Sequence, residues 1–94
     1  MESYKIPKGV SAKVEMIGPK RALELLENSA ENRNVSPVRV AGYVQMIERG
    51  EWHLINQGIA VGVDGKLYDG QHRLWAIVEA GIEVPVLMMY GVSE

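Results

Sequence analysis

Residues 69–73 of this chain read Asp-Gly-Gln-His-Arg, and they stand where a predicted strand passes into a predicted helix. A glycine at such a turn adopts backbone angles that other residues avoid, and it lets a ligand approach the backbone closely. The first turn of the helix presents amide groups without a partner inside the helix, and these groups favour an anion. His72 and Arg73 add side-chain donors at the same place. We therefore interpret the pentad, residues 69–73, as a phosphate-binding turn.

The chain around the pentad has the spacing of a small mixed domain. Apolar residues recur at helical or alternating intervals, and prolines, glycines and Ser36 punctuate the segments between them. We predict an α+β fold in which three helices pack against a small mixed β-sheet, in the order β-α-α-β-β-α-β. A flexible arm over 1–9 is predicted to precede a single domain over 10–94. The predicted strands are 10–17, 58–63, 66–68 and 84–90, and the helices start at Pro19, at Ser36-Pro37 and at residue 71, the last of them ending near residue 80.

Three local patterns support these elements. The first strand is predicted because alternate residues are apolar and share one face, namely Val10, Ala12, Val14 and Met16. Asp64-Gly65 is typical of a two-residue hairpin turn between the second and third strands. The nearly continuous apolar run from Val84 to Tyr90 indicates a closing strand that is buried on both faces.

Composition limits the classes of function. The net charge is −2, with 10 Lys and Arg against 12 Asp and Glu, so the chain lacks the basic surface typical of DNA-binding proteins. It has no cysteine, which excludes disulfides and thiol nucleophiles and is typical of a reducing compartment. No apolar run approaches the length of a membrane span, and we predict a cytoplasmic protein. A core of this size supports roughly 5–15 kcal/mol at most, and assembly into a homo-oligomer would add to it.

The pentad and its surroundings resemble a known family. A hairpin strand, the sequence Asp-Gly-Gln-His-Arg-Leu, a short helix and a closing apolar strand are similar to the ParB/sulfiredoxin-like fold, and most similar to its DGQHR-type branch. Small phage and actinobacterial ParB-like proteins are the nearest resemblance, because the chain shares further features with them over about residues 13–92. These features are Asn32-Arg33-Asn34, Ser36 and Gly50-Glu51-Trp52.

The chain departs from the catalytic members of this family at Gln71. Sulfiredoxins carry a catalytic cysteine between the glycine and the His-Arg pair, and ParB proteins that hydrolyse CTP carry a glutamate at this turn. A neutral amide can neither act as a general base nor hold Mg²⁺ as a carboxylate does. The resemblance therefore implies phosphate binding more strongly than catalysis.

Candidate ligand-binding residues follow from the pentad and from the loops beside the second helix. Two roles stay open for Asp69, because it either caps the third helix or contacts a ligand. We assign no catalytic residue and no metal ligand, and the sequence indicates no particular cofactor. The candidates are Asp69, Gly70, Gln71, His72, Arg73, Arg33, Asn34 and Asn56.

The leading hypothesis is a non-enzymatic protein that binds a nucleotide or another phosphorylated small molecule at the pentad. The resemblance suggests a regulatory role in a phage or bacterium, or one in which the protein sequesters a nucleotide signal. A second hypothesis is a nucleotide hydrolase or ParB-like nuclease that uses His72 and Asp69. A third is a DNA-binding or protein-interaction module with the helix over 36–50 as its contact element, although the acidic net charge disfavours DNA.

Overall fold

The computed structural model describes residues 9–29, 34–52 and 58–92. Residues 1–8 of the predicted arm lie outside this described part. The helices and strands follow the predicted order, so the α+β class with three helices and a mixed four-stranded sheet is confirmed. In chain order the elements are β1 (Ser11–Ile17), α1 (Pro19–Glu27), α2 (Pro37–Glu48), β2 (Ile59–Gly62), β3 (Leu67–Asp69), α3 (Gln71–Ala80) and β4 (Val84–Val92).

The helices begin and end at the residues that the sequence marks. Pro19 and Pro37 each occupy the first turn of their helix, where the missing N–H costs nothing. The Ser36 hydroxyl accepts a hydrogen bond from the Arg39 amide and so caps α2. Gly81 ends α3 with a φ of +69°, the left-handed conformation that glycine adopts without strain. None of the helices in the described ranges is long and apolar enough to cross a membrane.

The four strands form one sheet in the order β1-β4-β2-β3. β4 is antiparallel to β1, with Ser11 opposite Tyr90 and Ile17 opposite Val84. On its other side β4 is parallel to β2, which continues into β3 as an antiparallel hairpin. The last strand in sequence is thus central, and β1 and β3 are the edges.

The helices cover a single face of this sheet. α3 packs between α1 and α2, and the three helices bury their apolar sides together with the sheet. The sheet residues that this packing buries all point to one side, and we call that side the core face. They are Ile17, Ile59, Val61, Leu67, Val84, Val86 and Met88.

The opposite side, which we call the open face, corrects one expectation. The apolar run of β4 was expected to be buried on both faces, but the alternate residues Pro85, Leu87 and Met89 are only half-buried. Val14 and Met16 of β1 point the same way and are 54% and 55% exposed. The prediction fails because, within the described residues, helices pack on one face of β4 and leave the alternate side chains on the other face partly exposed.

The hairpin also differs from its expectation. β2 ends at Gly62 and β3 begins at Leu67, so four residues form the loop instead of two. The Asp64 carboxylate accepts a 3.0 Å hydrogen bond from the Lys66 amide, and Gly65 has a φ of +80°. The aspartate side chain therefore organises a longer turn through its own hydrogen bond, which the dipeptide pattern alone does not reveal.

Candidate functional site

The pentad forms the predicted junction between a strand and a helix. Asp69 is the last residue of β3, Gly70 is the N-cap of α3, and Gln71 begins the helix. Gly70 has a φ of +112°, which only glycine adopts readily. The first turn of α3 contains no acidic residue, and no side chain caps the helix. The positive end of this helix dipole therefore lies at the pentad.

Of the two roles left open for Asp69, the structure rules out the cap. The N-cap is Gly70, and the side chain of Asp69 belongs to an exposed residue at the end of the edge strand β3. A carboxylate that capped the helix would compete with an anion for the same amides. That competition is absent, and Asp69 is available to solvent beside the turn.

Gly70 faces the core on the side where another residue would carry its side chain. A Cβ at this position would lie 2.7 Å from Cγ1 of Ile59, a fully buried residue of β2. The space freed by the missing side chain is therefore occupied by the core and is closed to a ligand. β2 and the start of α3 pack directly against each other there. The close approach of a ligand to the backbone of Gly70 stays a prediction, and it would have to occur away from Ile59.

Gln71 connects the start of α3 to the end of α1. Its Nε2 donates a 3.3 Å hydrogen bond to the hydroxyl of Ser29, which itself donates to the Leu26 carbonyl. Next to this contact, the Leu67 amide donates to the Asn28 carbonyl at 2.9 Å. The segment after α1 is thereby fixed against both β3 and α3.

His72 joins the first turns of two helices. The backbone amide of Ser36, the N-cap of α2, donates a 3.0 Å hydrogen bond to Nε2 of the imidazole. The pKa of His72 is lowered from its usual value, first because burial penalises the charged ring and second because the positive charge of Arg39 is near. Any acid–base role would have to use Nδ1, since Nε2 already accepts the Ser36 amide.

Arg73 is the one buried charged residue in the described part of the chain. It is 6% exposed, and its Nη2 donates a 3.2 Å hydrogen bond to the carbonyl of Gly58, just before β2. This hydrogen bond ties the residue that precedes β2 to the first turn of α3. The guanidinium also adds positive charge to that turn. Sequence reasoning placed this group at a ligand, whereas the structure shows it directed into the fold.

Of the three candidate ligand-binding residues in loops, one lies in the described part of the chain. Arg33 and Asn56 lie outside the described residues. Asn34 is exposed and lies two residues before Ser36, close in sequence to the contact with His72. The residues around the start of α2 therefore belong to the same region as the pentad.

Sequence reasoning missed a groove on α2. A cavity of about 270 Å³ is lined by Arg39, Gly42, Tyr43 and Met46, and it opens to solvent. These residues are spaced as one face of a helix, adjacent to the face that enters the core. The Tyr43 ring packs edge-to-face on Trp52, with 6.2 Å between the ring centroids. These four residues have i, i+3, i+4, i+7 spacing. The same spacing one residue later is more apolar and predicts the core side of α2, so it obscured the groove; its residues are Val40, Tyr43, Val44 and Ile47.

The described residues contain no group of three or more His, Asp or Glu side chains that could hold a metal ion. His53, the other histidine of the chain, lies outside the described residues. The donors near His72 are the first-turn amides of α3 and Arg39, which is close enough to lower the pKa of the ring. Cationic and N–H donors bind anions, not cations.

Comparison with known proteins gives no match to the chain among family models, curated proteins or solved structures. The resemblance to the ParB/sulfiredoxin-like fold therefore stays a prediction. The order of helices and strands does not decide the function, because one arrangement of elements serves many functions. The functional inference consequently depends on the geometry of the site.

Proposed function

We propose that this protein binds a phosphorylated small molecule, of which a nucleotide is the best fit, where the first turns of α2 and α3 meet. The observation that carries the proposal is the hydrogen bond from the Ser36 amide to His72. It brings the first turn of α2, which Ser36 caps, beside the uncapped first turn of α3. The dipoles of both helices favour negative charge there, and the first-turn amides of α3 can donate to an anion. A phosphate at this junction would face both positive dipole ends.

The charges around the junction support an anion. Arg39 is exposed in the first turn of α2 and close enough to His72 to lower the pKa of its ring. Arg73 adds a buried positive charge in the first turn of α3. A guanidinium forms paired hydrogen bonds with phosphate oxygens, so Arg39 is the side chain that we assign to direct phosphate contact.

The groove on α2 supports a nucleotide over inorganic phosphate. It extends from Arg39 along the helix to Tyr43 and Met46. A phosphate beside Arg39 would direct the rest of the ligand over an aromatic ring and a thioether, and both suit the flat apolar surface of a base. The resemblance of the pentad to nucleotide-binding turns is consistent with this orientation.

The test is a thermal-shift screen followed by calorimetric titration, with inorganic phosphate, nucleoside mono-, di- and triphosphates and cyclic dinucleotides as probes. A ligand at a hundredfold excess over its Kd stabilises the fold by about 2.7 kcal/mol. We expect at least one nucleotide to raise the melting temperature and inorganic phosphate to raise it less. The absence of a shift with every probe would refute the proposal.

Arg39→Ala should remove this shift without lowering the melting temperature of the free protein. Each charged hydrogen bond to phosphate contributes about 1.5–3 kcal/mol to binding. Arg49→Ala is the matched control, because Arg49 is an exposed arginine at the other end of the same helix. Equal affinities for the two variants would exclude the junction as the binding site.

A further inference from the structure

The outer edge of β1 has the features of a strand that pairs with its own copy. β1 is an edge strand of seven residues, and within the described residues β4 is its only strand partner. It contains no proline and keeps a regular register with β4 along its whole length. An edge strand of this kind presents a row of backbone donors and acceptors to another strand.

The charges on β1 alternate in a way that suits an antiparallel copy. Lys13 and Glu15 point to the same face, where Lys13 Nζ lies 3.7 Å from Glu15 Oε2. Glu15 is held in place because its carboxylate accepts a 2.6 Å hydrogen bond from the Tyr90 hydroxyl. A lysine on an edge strand usually opposes pairing with another strand. In a two-fold dimer, however, the lysine of one copy can lie opposite the glutamate of the other copy, and the two charges then attract.

We infer that two copies of this chain associate through β1 edges paired antiparallel about Val14, with Lys13 of each copy opposite Glu15 of the other. This register follows from the charges. Centring the axis on Lys13 or on Glu15 would place like charges directly opposite each other, which is destabilising. Centring it on Val14, the middle residue of β1, pairs opposite charges twice and overlaps the full strand.

The same register aligns the exposed apolar residues of β1. On the open face, Val14 meets Val14 of the second copy, and Ala12 meets Met16 of the second copy. Val14 and Met16 are each more than half exposed in the single chain. Pairing would place these side chains beside one another in a sheet of twice the width, with the isologous symmetry of a two-fold dimer.

The test uses sedimentation equilibrium of the full chain from micromolar to near-millimolar concentration. We expect a monomer–dimer equilibrium in the native protein. Lys13→Glu and Glu15→Lys should each weaken dimerisation by about tenfold or more, because both charge pairs become repulsive. Lys20→Glu makes the same charge change at an exposed position on α1 and should leave dimerisation unchanged. A native monomer throughout this range would overturn the inference.

Mixing the two charge variants separates the pairing from a loss of folding. In an equimolar mixture the acidic β1 edge of Lys13→Glu lies opposite the basic β1 edge of Glu15→Lys, and both charge pairs become attractive again. A heterodimer should therefore form although neither variant dimerises well alone. Circular dichroism of each variant establishes that it is folded. A dimer that persists in Lys13→Glu, or a mixture that stays monomeric while both variants are folded, would contradict the proposed register.

A spin label locates the two-fold axis directly. The chain has no cysteine, so Val14→Cys introduces a single labelling site. Labels at residue 14 should show strong dipolar broadening because the axis passes beside them. Labels at Val38→Cys, an 81% exposed position on α2, should show none. A dimer without broadening at residue 14 would assign the interface elsewhere.

Discussion

The backbone amide of Ser36 donates a hydrogen bond of 3.0 Å to Nε2 of His72, across 36 positions of sequence. A ring nitrogen that accepts a hydrogen bond carries no proton, so the neutral imidazole holds its proton on Nδ1. The contact therefore depends on the charge state of the ring. It also sets the distance between the first turns of α2 and α3, on which the proposed site depends.

Acidification should destabilise the fold through His72. The folded protein has a lowered pKa at this ring, so the unfolded chain binds the proton more readily. The stabilisation is complete above the ordinary pKa of 6.5 and is lost as the pH falls from there through the folded pKa. Melting temperatures measured across this range should fall toward lower pH.

His72→Gln keeps an acceptor for the Ser36 amide but cannot titrate, so it should flatten the pH dependence of the melting temperature. His53→Gln is the matched control, since His53 is the only other histidine of the chain. If the melting temperature still depends on pH in His72→Gln but no longer does so in His53→Gln, the titrating group is His53 and the assignment to His72 is wrong.

Gly70→Ala should destabilise the fold more than Gly81→Ala. Both positions have positive φ, which costs roughly 1–3 kcal/mol with a side chain. A Cβ at residue 81 meets no atom within 4 Å, whereas at residue 70 it would lie 2.7 Å from Ile59 Cγ1. Overpacking adds about 1–3 kcal/mol at Gly70.

Denaturant unfolding of the two glycine variants measures this difference. Ile59→Ala should lower the free energy of unfolding less in the Gly70→Ala variant than in the native protein. The reason is that the isoleucine side chain no longer fits well once residue 70 carries a Cβ. Additive costs would mean that Ile59 moves aside without strain.

Arg73→Ala should lower the free energy of unfolding because the guanidinium is a buried donor to the Gly58 carbonyl. Losing a hydrogen bond from a charged group costs about 1.5–3 kcal/mol, and lost packing adds to this. Arg49→Ala is the control, since Arg49 is an exposed arginine at the end of α2 and should contribute about 0.5 kcal/mol or less. Equal urea midpoints for the two variants would show that Arg73 is not structural.

Gly42→Leu should block nucleotide binding while the free fold is retained or stabilised. Gly42 lines the groove on α2, and a Cβ there meets no atom within 4 Å. Replacing a glycine inside a helix stabilises it by roughly 0.5–1 kcal/mol, and the larger side chain would fill the groove. Ala41→Leu, an exposed neighbour outside the groove, is the matched control for titration. Equal affinities would show that the ligand does not use the groove.

Local signals were sufficient for the elements of the fold. Pro19, Ser36-Pro37 and Gly81 act through the backbone of their own turn, so the helix limits could be predicted from adjacent residues. The alternation of β1 predicted a strand correctly. It could not reveal that Val14 and Met16 point away from the helices, because that depends on the pairing with β4.

The candidate site was less predictable, because its contacts join distant parts of the chain. The position of the pentad at the start of α3 follows from a local pattern. Gln71, His72 and Arg73 form hydrogen bonds with Ser29, Ser36 and Gly58, and Gly70 packs against Ile59. No periodicity connects these partners to the pentad. Arg39 was missed because its importance comes only from the meeting of two helices.

The central position of β4 has a consequence for how the chain acquires its fold. β1 and β2 do not pair with each other, and each depends on β4 for its place in the sheet. While the ribosome synthesises the residues before β4, β1 has no strand to join, and the backbone groups that later pair with β4 stay without a strand partner. Contacts as distant as Ser11 with Tyr90 also slow the search for the native topology. During synthesis, therefore, the nascent chain is most exposed to aggregation just before β4 emerges.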